Sequence, residues 1–251
     1  MRSKGAGAAG PHDARAEAPP SPTQAAQIVE LAIFLLLLMP QLVLALFVPV
    51  EMATPIDFPS VASAIILRDV ALVALVAFFL WMSGEARGER PFACLGWDLR
   101  DASKEMAIGV ALFLPMTLSA AIVDALLRAA GLEGPSTPAP IFAPEGALEI
   151  ALAVLLVVVV AIAEETIFRG YLIHRFHRLS GSLPLAITAS SLLFAIGHGY
   201  QGPSGVIVVG VIGFLLALVY VWRKTLVAVT TMHFLQNFIG IVLAPALAGS
   251  S

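Results

Sequence analysis

From residue 28 onward the apolar positions fall in long runs rather than in alternation. A transmembrane helix needs about 20 predominantly apolar residues. Runs of that kind lie at 28–50, 61–82, 105–127, 147–168, 183–197, 205–222 and 226–247, the fifth being short. The pattern predicts an all-α protein, a polytopic transmembrane helical bundle of about seven spans; an eighth would move the C-terminus to the other side. The first 25 residues, rich in Ala, Pro and Gly, have no apolar face and predict a disordered tail. A cleaved signal peptide fits less well, because the polar region is long and the run behind it is long enough to span. The expected organisation is a tail at 1–25, one transmembrane domain at 26–247 and a short tail at 248–251. The Pro-rich stretch 134–146 reads as an outer loop.

Composition sharpens this picture. Of the 251 residues 59% are hydrophobic and 12% charged, against about 25% charged in soluble domains. The net charge of −3 gives no sign of nucleic-acid binding. The single cysteine, Cys94, cannot form an internal disulfide. Of the 14 lysines and arginines, all but Arg68 and Arg128 fall on one side of the predicted topology: Arg2, Lys4, Arg15, Arg87, Arg90, Arg100, Lys104, Arg169, Arg175, Arg178, Arg223 and Lys224. Basic residues accumulate on the cytoplasmic side. The expectation is an integral, multi-pass protein of a bacterial inner membrane with a cytoplasmic N-terminus. Arg68 and Asp69, adjacent inside the second run, are expected to satisfy each other as a structural pair. His174 and His177 have metal-like spacing, but on a basic amphipathic segment, 171–178, that is expected to protrude as a solvated interfacial face.

Three polar stretches interrupt the lipid-like runs: "EETIFR" at 164–169, "FAIGH" at 194–198 and "HFLQN" at 233–237. A charge at the bilayer centre costs about 2.5–3.5 kcal/mol on insertion scales, so such groups default to function. Glu165 and Arg169, four apart, share a helix face and can pair, whereas Glu164 is turned about 100° away. Phe194 and His198, like His233 and Asn237, also share a face. Glu164 and His198 are equidistant from the turn at Gly181, which places them at one height in a helical hairpin. At 1.5 Å per residue Glu164 lies about 16 Å below an interface at Arg175, and His233 about 14 Å below Lys224. The polar groups therefore converge at one depth, in the cytoplasmic half of the bilayer.

These stretches, in this order and on separate helices, resemble the three motifs of the CAAX prenyl protease and bacteriocin-processing family, also called the Abi family: E-E-x-x-x-R, F-x-x-x-H and H-x-x-x-N/D. The resemblance covers roughly residues 147–244 and implies an intramembrane endopeptidase. Glu164 and His198 would then activate the attacking water, His233 and Asn237 would stabilise the oxyanion, and Glu165 and Arg169 would support the site. The expected substrate is a membrane-associated protein or peptide within the lipid bilayer. No cofactor is required on this reading.

Other readings start from the same residues. Glu164, His198 and His233 could be three zinc ligands with an open fourth position. "GPSG" at 202–205 fits the G-x-S-G of a rhomboid-like serine protease, with Ser204 as nucleophile and His233 as base, but leaves the glutamates unexplained. A transporter, or a non-catalytic binding or immunity protein, could also use buried Glu, Arg, His and Asn. Substrate identity and oligomeric state are not written in these residues.

Overall fold

The structure, a computed structural model, describes residues 23–47, 57–85, 92–132 and 144–248. Among the described residues the chain is helical and has no strand: α1 (Gln24–Phe47), α2 (Phe58–Met82), α3 (Ala102–Ala129), α4 (Gly146–Glu164), a π-helical segment (Glu165–Leu172), α5 (Ile173–Ser180), α6 (Leu183–Ile196), α7 (Gly202–Arg223), α8 (Leu226–Asn237), a second π-helical segment (Phe238–Leu243) and α9 (Ala244–Ala248). Six helical stretches are long and apolar enough to cross a membrane, and α6 is a shorter apolar one. These are the seven runs read from the sequence. The tail at 1–22, most of the Pro-rich loop, and Arg87 and Arg90 lie outside the described residues.

Local chemistry sets the boundaries. The Asp57 carboxylate accepts from the Ser60 backbone N–H at 2.8 Å and caps α2, with Pro59 in the first turn. Ser182 caps α6 and Thr225 caps α8 in the same way. Gly181 joins α5 to α6 at φ 69°, where a Cβ would be disfavoured. α4, the first π-helical segment and α5 form one rod of 35 residues, Gly146–Ser180, about 50 Å long at 1.5 Å per residue. α6 has only 14 residues, or about 21 Å, less than the roughly 30 Å hydrocarbon core. Its C-terminal end therefore stops inside the membrane, where non-helical backbone persists only if protein buries it or it lines a cavity.

The rods pack around the first π-helical segment, all of whose residues are buried. α2 and α8 lie against α4, and α6 and α7 against the π-helical segment; α3 packs on α7 and α8, and α1 on α5 and α6. α3 approaches α8 closely at Gly109, where an added Cβ would sit 2.5 Å from the Ala228 carbonyl oxygen. Small residues permit such contacts in membranes. Phe34 of α1 and Phe79 of α2 enclose Tyr171, with the Phe34 ring centroid 4.8 Å away. Leu36, Leu67, Leu148 and Trp222 remain exposed, as lipid-facing positions should.

The polar face of the segment 171–178 is not wholly solvated as the sequence suggests. Arg175 is 0% exposed. Its Nε donates to Glu30 at 2.8 Å and its Nη1 to Glu85 at 2.7 Å, while the Tyr171 hydroxyl donates to Glu30 at 2.7 Å. His174 Nε2 lies 2.9 Å from Glu85, and of the two histidines only His177 is exposed. The amphipathic pattern is present, but only His177 and Arg178 reach solvent, while Arg175 and His174 meet carboxylates from α1 and the turn after α2. Burying paired guanidinium is tolerable where burying a lone one is not.

Candidate functional site

The glutamates stand where α4 passes into the π-helical segment. Its i→i+5 bonds widen the helix, and such turns are frequent at functional sites. Arg169 Nη1 donates to Glu165 Oε1 at 2.8 Å, and Nη2 to the Gly213 carbonyl of α7 at 3.1 Å. Both charged side chains are almost fully buried. Their expected pairing is present, and it ties the rod to α7. Gly213 keeps this approach open, because a Cβ there would meet the Phe194 ring at 2.9 Å.

His233 reaches this pair from α8. Its Nδ1 lies 2.7 Å from Glu165 Oε1, and its Nε2 lies 3.7 Å from Glu164 Oε2. A carboxylate only accepts, so Nδ1 carries the hydrogen and Nε2 faces Glu164. The imidazole thus stands between the two glutamates. Asn237, one turn further along α8, is half-buried and makes no side-chain hydrogen bond among the described residues.

His198 lies just beyond α6 instead of on its face. The helix ends at Ile196, and the His198 Nδ1 turns back to the Phe194 carbonyl at 2.8 Å, satisfying one of the orphan carbonyls of a helix end. That carbonyl can only accept, so Nδ1–H is fixed and Nε2 holds the lone pair in the neutral ring. Phe194 is the hub of the arrangement. Its ring centroid lies 4.2 Å from the Arg169 guanidinium carbon, 4.7 Å from the His198 ring and 5.8 Å from the His233 ring. One aromatic side chain therefore brings all three motifs into contact. It is the ring of His233, not that of His198, that comes within 4 Å of a Glu164 carboxylate oxygen.

The motifs are not the whole site. Arg68 and Asp69 pair as expected, with Arg68 Nε and Nη2 2.9 and 2.7 Å from Asp69 Oδ1. The pair also lies within the electrostatic field of Glu164, because α2 packs on α4. Trp97, in the connector before α3, donates from Nε1 to Thr166 Oγ1 at 2.9 Å, directly beside Glu165. Tyr200 stacks obliquely near His198, with ring centroids 6.0 Å apart. No sequence pattern marked Asp69, Trp97 or Tyr200 as neighbours of the motifs, because their proximity depends on how the N-terminal half packs. Ser204 is buried in the first turn of α7 and its Oγ has no hydrogen-bond partner, whereas His233 is engaged by Glu165. Among the described residues no three His, Cys, Asp or Glu side chains are grouped so that they could share a metal ion.

A polytopic helical bundle with a buried acid–imidazole–guanidinium centre defines a class of intramembrane proteins with an ionisable core. Residues 146–239 match the model of the Rce1-like family, described as "Type II CAAX prenyl endopeptidase Rce1-like". All three motifs fall inside that stretch, and the match bears out the resemblance read from them. The match covers less than half of the chain and is a similarity to that family. No curated protein and no solved structure matches the chain.

Proposed function

We propose that the protein is an intramembrane endopeptidase that hydrolyses a peptide bond in a membrane-associated protein or peptide, without a metal, at the centre formed by Glu164, His198 and His233. The observation that carries this reading is the position of His233, 2.7 Å from Glu165 and 3.7 Å from Glu164, which brings the first and third motifs together at one buried point. Glu164 is the general base for the attacking water, and general acid–base catalysis contributes about 10²- to 10⁴-fold. His198, with its Nε2 lone pair free, helps hold that water's proton once Glu164 has taken it.

His233 and the Asn237 amide stabilise the oxyanion; one such donor is worth about 3–4 kcal/mol. For His233 to donate from Nε2 it must carry both protons, and Glu165, bonded to Nδ1, is the counter-charge. Arg169 fixes Glu165 and the rotation of the rod. The N-terminus is cytoplasmic, and cleavage takes place towards the cytoplasmic leaflet. The test is to compare membrane proteomes of cells carrying the wild type or Glu164→Gln: one precursor accumulates uncut with the variant, and identical proteomes contradict the reading. Activity of the purified protein before and after chelation separates this mechanism from one using zinc.

A further inference from the structure

Asp69 is 1% exposed in the middle of a transmembrane helix. Both hydrogen bonds from Arg68 go to its Oδ1, and its Oδ2 is buried with no partner. Glu164 Oε2 likewise accepts no hydrogen bond, the nearest cationic candidate, His233 Nε2, lying 3.7 Å away. A buried acceptor left without a donor costs about 1–3 kcal/mol, and more when charged. Two apolar residues would fill a purely structural position at lower cost. Asp69 is buried on α2, which packs on α4, and lies in the field of Glu164 and His233; Arg68, its side chain 33% exposed, lies in that of His198 and Tyr200. Unsatisfied buried groups of this kind are commonly bridged by a water making about three hydrogen bonds.

We propose that Asp69, held by Arg68, is a further catalytic residue that accepts a hydrogen bond from the attacking water opposite Glu164; this rests on the proteolytic reading above. A water whose two hydrogens are held by Asp69 Oδ2 and Glu164 presents its lone pair to the scissile carbonyl. As its oxygen bonds to the carbonyl carbon, one proton passes to Glu164. The C–N bond then breaks and that proton leaves on the departing amine. Asp69 exchanges no proton in this step and forms no covalent bond.

The experiment uses the full chain in liposomes with a synthetic peptide ending in a prenylated Cys-a-a-X sequence. Asp69→Asn is expected to lower kcat about 10- to 100-fold with KM unchanged, at or below the roughly 10²- to 10⁴-fold of a full acid–base contribution, because Asp69 orients the water and exchanges no proton. Formate is expected to restore part of the activity of Asp69→Ala. Infrared spectra taken in ordinary and ¹⁸O-labelled water are expected to show a strongly bonded internal water in the wild type that is lost in Asp69→Asn. Wild-type kcat in Asp69→Asn, no rescue by formate, or an internal-water band unchanged by the substitution overturns the proposal. If the wild type does not cut the peptide, the proteolytic reading is in question, and the infrared comparison decides on Asp69 by itself.

Discussion

Replacing Arg169 by methionine keeps most of the side-chain stem and removes the cation from beside a carboxylate that has no access to water. Glu165 and Arg169 are 0% and 1% exposed at their side chains. The guanidinium also donates to Gly213 and lies over the Phe194 ring. Breaking a buried pair by deleting one partner typically costs about 3–5 kcal/mol, because a charge is left uncompensated. His233 remains as a donor to Glu165, which places the expected loss for Arg169→Met near 3 kcal/mol. Glu165→Gln should cost a similar amount by stranding the guanidinium. The double variant removes both charges, so its loss should fall short of the sum of the single losses by about 1–3 kcal/mol. Reversible unfolding in mixed micelles, followed by circular dichroism, measures all three. A loss under about 1 kcal/mol for Arg169→Met, or strictly additive losses, would refute the claim that this is a dry, mutually dependent pair.

Gly109→Ala places a methyl group 2.5 Å from the Ala228 carbonyl oxygen and 2.8 Å from the Thr231 Cβ; overpacking of this kind costs about 1–3 kcal/mol, readable in the same unfolding assay, and neutrality would contradict the close α3–α8 contact. Glu85 titrates with the fold. Burial raises its carboxyl, but hydrogen bonds from His174 and Arg175 outweigh that and hold it at about 2, below its ordinary 4.5. A depressed carboxyl stabilises the folded state above its unfolded pKa. This contribution is therefore complete above about pH 4.5 and is lost as the pH falls towards 2. Melting curves across that window should show the loss in the wild type and a smaller one in Glu85→Gln; equal slopes would remove Glu85 from the account.

The spacing within each motif and the runs between them were enough to predict the bundle, the Glu165–Arg169 pair and a common level for the three motifs. Those features follow from helical periodicity and from counting outward from turns. The position of His198 was less legible: four residues after Phe194 reads as the same helix face, yet α6 ends first and the ring turns back to cap it. The widening of the helix at Glu165 is a tertiary effect with no composition signal. Arg175 looked solvated because its partners, Glu30 and Glu85, are about 145 and 90 residues away in the chain. Asp69 looked like half of a self-contained pair because nothing local says that α2 lies against the rod carrying Glu164.

The central claim is that Glu164 and His198 together activate water for peptide hydrolysis. Mass spectrometry of a prenylated Cys-a-a-X peptide in liposomes, with wild type, Glu164→Gln and His198→Ala at matched folded amounts, tests it most directly. The account predicts cleavage by the wild type and a loss of about 100-fold or more in each variant; cleavage by either variant at the wild-type rate contradicts it.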